Sequence, residues 1–219
     1  MRVAGIDGWS RGWVAVVISD GDLSVEVSTS LADFVGANPD LSVIGVDIPL
    51  DLVAAARRRA DVEARSFIGV RRSSVFDALP ADVLEHDTYA EALDHCRATY
   101  EKGISRQSYA LRVKTMDARA AKDLGVPVVE VHPEVSFTAM AGGELPYAKK
   151  TWNGQATRLQ LLAEAGLQLP EELPRATGVV PPDDIIDAAA AAWSAWRVAA
   201  GSALTLPVDP LPGEPTIWF

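Results

Sequence analysis

Two short apolar runs, each ending in an aspartate, constrain the fold of this chain more than any other feature. The first run is Val3–Asp7 and the second is Val43–Asp47. Short apolar runs predict strands that are covered on both faces, and aspartate is depleted within strands. Carboxylates at matching ends of two strands predict that both side chains point toward one place. For either aspartate alone, capping of a loop is the ordinary alternative.

The remaining pattern alternates between strands and helices. Further strands are predicted at 13–18, 23–28 and 127–132, and helices at 30–35, 52–68, 87–100, 108–124, 134–141, 154–165 and 184–200. Strands at the start, followed by helices and a returning strand, are typical of an α/β layered domain in which helices flank a central mixed sheet. We expect one domain over 1–219, with a helical insertion at about 50–125 and an extended C-terminal tail at about 206–219.

Composition excludes several classes of protein. The longest apolar stretches, 14–18 and 188–193, are far shorter than the roughly 20 residues that a membrane span needs. The early carboxylate of Asp7 does not fit the apolar core of a signal peptide. Cys96 is the only cysteine, which excludes an internal disulfide and a multi-cysteine metal site. We therefore expect a cytoplasmic protein that does not contact membranes.

The last predicted helix begins with three acidic residues. Asp183 suits a helix N-terminus, whereas Asp184 and Asp187 are three residues apart and share a helix face. The following alanines would let this helix lie close against the sheet, which would bring both carboxylates toward Asp7 and Asp47. Converging carboxylates repel one another unless a divalent cation neutralises them, and oxygen ligands suit Mg²⁺ or Mn²⁺. We predict a site for one or two such ions.

These acidic positions resemble those of the RNase H-like nuclease superfamily, and the terminal Asp-x-x-Asp-Ala pair resembles its resolvase-type branch. The whole chain resembles the DUF429 family of predicted RNase H-like nucleases. The motifs that carry this resemblance are Gly5-Ile6-Asp7-Gly8-Trp9, Gly45-Val46-Asp47-Ile48-Pro49, Arg71-Arg72-Ser73-Ser74, Gly103-Ile104-Ser105-Arg106-Gln107, Glu130-Val131-His132-Pro133-Glu134, Lys149-Lys150-Thr151 and Asp183-Asp184-Ile185-Ile186-Asp187-Ala188.

The resemblance implies an RNase H-like fold and a metal-dependent hydrolase that cleaves a phosphodiester of a nucleic acid or a related small molecule. Asp7, Asp47, Asp184 and Asp187 would be its metal-binding catalytic residues. Because Gly5-Ile6-Asp7-Gly8 also resembles the first strand of actin-like and sugar kinases, a nucleotide or phospho-metabolite enzyme is an alternative. A non-catalytic binding module of the same fold is another. The sequence leaves the oligomeric state open, a dimer included.

Glu130 and His132 follow the predicted strand 127–132. Alternate residues of a strand share a face, so both side chains could extend the acidic site. Glu130 is then a candidate metal ligand, and His132 is a candidate proton carrier or substrate contact. A structural role for His132 is an equally good interpretation.

Seven polar residues outside the acidic set are candidates for binding substrate. Arginines and hydroxyls can hold phosphates through charge-assisted hydrogen bonds, but they also pair with carboxylates and cap helices. The net charge of −10 argues against binding nucleic acid over the whole surface, although residues 57–122 carry thirteen basic and ten acidic side chains. The candidates are Arg71, Arg72, Ser73, Ser74, Gln107, Lys149 and Lys150.

Overall fold

A computed structural model describes residues 1–55 and 57–219, which fold around a mixed five-stranded sheet. The spatial order of the strands is β3-β2-β1-β4-β5, in which β2 is antiparallel to β1 and β3, and β4 is parallel to β1 and β5. This sheet, with helices on both faces, confirms the predicted α/β layered class with a central mixed sheet. The strands are β1 (Arg2–Trp9), β2 (Gly12–Ser19), β3 (Asp22–Ser28), β4 (Val43–Val46) and β5 (Val128–Glu130).

Helices cover both faces of the sheet. The described helices are α1 (Leu31–Ala37), α2 (Arg59–Phe67), α3 (Ala81–Leu84), α4 (Tyr89–Tyr100), α5 (Arg106–Ala110), α6 (Arg112–Ala121), α7 (Pro133–Ala141), α8 (Trp152–Glu164) and α9 (Pro182–Ala199). Alternate strand residues pack on opposite sides, so Val3 and Val43 contact the layer that contains α9, whereas Ala4 and Ile44 contact the layer of α1 and α6. The central strands are therefore buried on both faces, as their apolar runs predict.

The close approach of α9 to the sheet depends on two glycines. A Cβ atom at Gly5 would lie 1.8 Å from the backbone nitrogen of Ala192, and one at Gly45 would lie 2.7 Å from the carbonyl oxygen of Ala191. Alanine is the largest side chain on most of the facing stretch of α9, and these alanines are fully buried. Glycine on the strands and alanine on the helix thus let the two backbones approach more closely than larger residues would allow.

The helices between β4 and β5 differ from the prediction in their boundaries. The helix expected at 52–68 begins at Arg59, and position 56 lies outside the described residues. A capping box of Thr88 and Glu91 begins α4, two residues after the expected start of this helix. The helix expected at 108–124 is divided at Leu111 into α5 and α6 and ends in a 3₁₀ turn at 122–124. The periodicity of apolar residues in the sequence therefore predicts these helices but not the residues at which they begin and end.

The C-terminal tail is extended and docks beside the sheet. Its strands β6 (Thr205–Leu206) and β7 (Ile217–Trp218) pair with each other, and Trp218 forms a parallel bridge with Val131 after β5. Phe219 packs on Phe67 of α2, with a distance of 5.1 Å between the ring centroids. The tail therefore joins the sheet edge to the helices that follow β4.

Within the described residues, no helix combines the length and the apolar character that crossing a membrane requires.

Substitution of Gly5 tests the close packing of α9. We expect Gly5→Ala to lower the free energy of unfolding by about 3 kcal/mol or more, because the added methyl group meets helix backbone that must move away. Gly36→Ala is the matched control: an added Cβ at this position in α1 meets nothing within 4 Å, and alanine favours a helix by up to about 1 kcal/mol. Chemical denaturation measures both, and equal stabilities of the two variants would contradict this description.

Candidate metal centre

Strand register brings Asp7 and Asp47 side by side. Gly5 of β1 is opposite Gly45 of the parallel strand β4, and each aspartate follows its glycine by two residues. Because side chains alternate along a strand, both aspartates lie on the face that α9 covers. The Asp47 amide donates to the carbonyl oxygen of Ile6 at 2.9 Å, which continues the pairing of the two strands up to these residues.

Asp187 on α9 completes a cluster of three carboxylates. Single carboxylate oxygens of Asp7, Asp47 and Asp187 all lie within 4.8 Å of one another. We call these three residues the carboxylate cluster. Asp7 and Asp187 are 8% and 1% exposed, and Asp47 is half-buried. The contact of α9 with Gly5 and Gly45 therefore places the helix carboxylate over the ends of both strands.

Burial and mutual repulsion make ionisation of the carboxylate cluster unfavourable. Burial raises the pKa of Asp47 to about 7, and the nearby charges of Glu130 and Glu134 also raise it. Burial likewise raises the pKa of Asp187 to about 7, with a further contribution from Asp47. The pKa of Asp7 is raised well above its ordinary value by burial and by Asp47 and Asp187. A bound cation would reverse this penalty.

Lys149 is the cation in direct contact with the carboxylate cluster. Its ammonium donates to Oδ2 of Asp187, whereas Oδ1 of Asp187 is buried and has no hydrogen-bond partner among the described residues. Burial opposes the charge on Lys149, but the Asp187 carboxylate outweighs it and raises the pKa of Lys149. A buried carboxylate oxygen without a partner is costly, so Oδ1 is available to a ligand that the described residues do not supply.

The donor set of the carboxylate cluster fits Mg²⁺ or Mn²⁺. All three donors are carboxylate oxygens, which hard divalent cations prefer. Ligands on opposite sides of Mg²⁺ lie about 4.2 Å apart, so oxygens that all lie within 4.8 Å of one another are near enough to bind one ion together. The free Oδ1 of Asp187 supplies a further reason to expect a ligand there. This fit supports a divalent metal without identifying which one.

Asp184 lies apart from this close group. Its side chain is half-buried and lines the cavity in front of the carboxylate cluster, but it does not join the three oxygens within 4.8 Å. Burial and the neighbouring Asp183 raise the pKa of Asp184. The two acidic residues that share a face of α9 therefore occupy different positions, one in the cluster and one toward its opening.

Glu130 does not have the arrangement expected of a metal ligand. Its two carboxylate oxygens accept from the Arg58 guanidinium at 2.7 and 2.6 Å, and the Leu50 amide donates to one of them at 2.8 Å. Glu130 is opposite Val46 in the register of β4 and β5, one residue out of phase with Asp47. The expected role of Glu130 as a ligand is therefore corrected: it forms a buried ion pair that also includes Asp61.

His132 is half-buried and lines the cavity. Its Nε2 atom lies 3.4 Å from the carbonyl oxygen of Ser74, and its Nδ1 atom is buried without a partner among the described residues. Burial lowers the pKa of His132, so the ring is neutral at neutral pH. If Nε2 carries the proton and donates to Ser74, Nδ1 is left as an acceptor.

The predicted substrate-binding residues divide into two groups. The cavity of about 340 Å³ in front of the carboxylate cluster is lined by Ser74, Gln107, Lys149 and Lys150. Arg71, Arg72 and Ser73 do not line it, which corrects their expected place at the site. Arg71 donates to the carbonyl oxygen of Pro146 at 2.8 Å, and Arg72 and Ser73 are exposed. The 3₁₀ turn over 69–74 directs only its last residue toward the cavity.

Two features of the cavity wall were missed by sequence reasoning. Lys114 on α6 lines the cavity, and its ammonium donates to the carbonyl oxygen of Gly12 above the Trp13 ring. Glu134 also lines the cavity and accepts two hydrogen bonds of 2.7 Å from the fully buried Arg158. Spacing along the chain does not predict either contact. The one sequence signal is that Glu130, His132 and Glu134 place ionisable side chains at alternate positions from the end of a buried strand onward.

Comparison with known proteins gives one family. Residues 5–211 match the model of the family described as "Protein of unknown function (DUF429)". The chain is similar to a solved structure described as "Thermus thermophilus RuvC structure", with 17% identity and a TM-score of 0.37, over 92% of this chain and 98% of that one. No curated protein matches the chain.

The buried charge of the carboxylate cluster predicts that Asp7→Asn stabilises the metal-free protein. The folded protein holds cluster protons up to about pH 7, whereas the unfolded chain releases them near 3.8, so the free energy of unfolding falls as the pH rises between these values. Asparagine removes one of the charges. In buffer with a chelator, we expect Asp7→Asn to match the wild type near pH 4 and to exceed it by at least about 1 kcal/mol at pH 8.

The control is Asp94→Asn, which changes an exposed carboxylate on α4. Its free energy of unfolding should differ from that of the wild type by the same small amount at both pH values. An Asp7→Asn protein that is less stable than the wild type at pH 8, in the absence of metal, would contradict the description of the cluster as electrostatically unfavourable.

Proposed function

The chain belongs to the DUF429 family, and we propose that it is a divalent-metal-dependent nuclease or phosphodiesterase. The observation that carries this proposal is the carboxylate cluster, in which residues from two strands and one helix converge although 180 positions separate the first from the last. The mixed five-stranded sheet is compatible with the RNase H-like fold that the sequence resemblance implies. The fold alone does not establish a reaction, so the proposal depends on the chemistry of the site.

Asp7, Asp47 and Asp187 would hold Mg²⁺ or Mn²⁺, and Asp184 would act from the cavity opening. A divalent ion in such a site activates water as a nucleophile and stabilises charge on phosphate oxygens. The carboxylates position the ion at the strand ends, where the cavity gives a phosphodiester access. Buried carboxylates that repel one another destabilise a fold that gains no ligand, which argues against a purely non-catalytic module.

Basic residues of the cavity wall would bind the phosphate. Lys114 and Lys150 line the cavity from α6 and from the turn before α8, so they approach the carboxylate cluster from different elements. Gln107 is exposed at the same cavity and would hydrogen-bond to a sugar or a base. Because the net charge of the chain is −10, we expect binding to depend on these few contacts and to weaken strongly with salt.

His132 would move a proton during hydrolysis. Its ring is neutral and lines the cavity, and its Nδ1 atom has no partner in the part of the chain that the structure describes. A neutral imidazole accepts a proton at this atom, either from the attacking water or through a second water. We therefore propose His132 as a proton acceptor.

The kinase-like alternative has less support. Actin-like and sugar kinases close two related halves on a nucleotide. The part of the chain that the structure describes contains one five-stranded sheet and one pair of two-residue strands. Nothing in these residues supplies a second half, and we therefore favour hydrolysis of a phosphodiester.

Calorimetric titration of Mn²⁺ into metal-free protein tests the proposal. We expect the wild type to bind the ion, and both Asp7→Asn and Asp187→Asn to weaken binding by at least about tenfold because each removes one of three carboxylate ligands. The same variants should lose Mg²⁺-dependent cleavage of single-stranded and duplex DNA and RNA oligonucleotides. Asp94→Asn is the control and should match the wild type in both assays.

A wild-type protein that binds no Mn²⁺, with or without oligonucleotide present, would contradict the metal site. Binding that both aspartate variants retain would place the ion elsewhere. Binding without cleavage of any oligonucleotide would restrict the substrate to a small phosphodiester, which bis(p-nitrophenyl) phosphate hydrolysis would detect.

A further inference from the structure

Lys149 contacts the carboxylate cluster through Oδ2 of Asp187. We propose that its ammonium group replaces the second divalent ion, so that the site holds one metal ion. The inference rests on the proposed function in one respect, namely that the carboxylate cluster binds a divalent metal. The inference itself concerns the positive charge that Lys149 contributes to the carboxylate cluster.

The first argument is charge balance. Three ionised carboxylates of the cluster carry −3, and the ammonium of Lys149 reduces this to −2, which one divalent ion neutralises. The other buried acids behind the cavity have their own cations: Arg58 binds Glu130, and Arg158 binds Glu134. Uncompensated charge is expensive in a buried site. Two divalent ions would turn the remaining −2 into +2, and the half-buried Asp184 on the cavity wall would offset only one of these charges.

The second argument is the use of the two oxygens of Asp187. In a two-metal site the ions lie about 3.5–4 Å apart, and a carboxylate between them offers one oxygen to each. On Asp187, Oδ2 accepts from the ammonium of Lys149 and only the buried Oδ1 lacks a partner. This carboxylate is therefore arranged to join one metal ion to one lysine.

The third argument is that the backbone fixes the position of Lys149. Thr151 closes a turn by donating twice to the carbonyl oxygen of Ala148, from its amide at 2.9 Å and from its hydroxyl at 2.8 Å. A Cβ at Gly154 in the first turn of α8 would lie 1.9 Å from this same oxygen, so the turn packs directly on the helix. The backbone that carries Lys149 is therefore held beside the cluster, and its side chain, which is 34% exposed, contacts Asp187 from this turn.

Lys150 provides a matched control within the same turn. Its side chain is 80% exposed, and its ammonium approaches Asp183 only to 4.0 Å. Substitution of Lys150 changes the net charge of the turn as much as substitution of Lys149 does, but it leaves the cluster contact in place. Any difference between the two variants therefore reports on contact with Asp187 and not on overall charge.

The experiment counts Mn²⁺ ions in the full-length protein without substrate. Calorimetry gives the stoichiometry, and electron paramagnetic resonance distinguishes an isolated Mn²⁺ from a coupled pair. We expect one ion with an isolated spectrum for the wild type and for Lys150→Gln. We expect two ions and a coupled spectrum for Lys149→Gln, since removal of the ammonium frees Oδ2 of Asp187 and restores one negative charge.

Two bound ions in the wild type would overturn the inference and leave the proposed function intact. One ion in Lys149→Gln, bound more tightly than in the wild type, would also overturn it, because Lys149 would then be a competitor for the same place. No binding in the wild type would overturn the proposed function together with the inference. Thermal unfolding with Mn²⁺ shows whether Lys149→Gln folds. If this variant does not fold, the number of Mn²⁺ ions bound per wild-type chain tests the inference.

Discussion

The contact of α9 with β1 and β4 is the physical constraint on which the site depends. Gly5 and Gly45 remove side chains where the helix backbone crosses the strands, and the facing alanines let the helix backbone lie against them. Asp7 and Asp47 then follow two residues later on the same face, directly beside Asp187. A larger residue at either glycine would separate the helix from the strands, and the three carboxylates would no longer meet.

The buried acids of the protein differ in how well neighbouring cations compensate their charge, and the carboxylate cluster is compensated least. Arg58 compensates Glu130 and Asp61, and Arg158 compensates Glu134, each through short hydrogen bonds in the interior. Among residues 1–55 and 57–219, the carboxylate cluster has one contacting cation, Lys149, for three carboxylates. The protein therefore neutralises the outer buried acids with its own arginines, and the inner group is where we propose that a metal ion binds. Repulsion between the cluster carboxylates lowers the stability of the metal-free fold, and such a local loss of stability is typical of a functional site.

Sequence patterns predict the part of this arrangement that strands and helix faces determine locally. Gly5-Ile6-Asp7 and Gly45-Val46-Asp47 each combine an apolar strand with an acid at its end. The convergence of Asp7 and Asp47 is predictable because side chains alternate along a strand and parallel strands end at the same edge of the sheet. The ion pair of Arg58 with Glu130 joins residues 72 positions apart, which no local pattern indicates. For the same reason the positions of Arg71, Lys114 and Arg158 were not predictable, since each depends on packing between distant elements.

The most direct test of this account is anomalous diffraction from a crystal of the protein grown with Mn²⁺. The account predicts an anomalous peak bounded by the carboxylate oxygens of Asp7, Asp47 and Asp187, with Oδ1 of Asp187 as a ligand and the ammonium of Lys149 still on Oδ2. A well-ordered cluster without any anomalous peak at saturating Mn²⁺, or a peak coordinated by other residues only, would contradict the account.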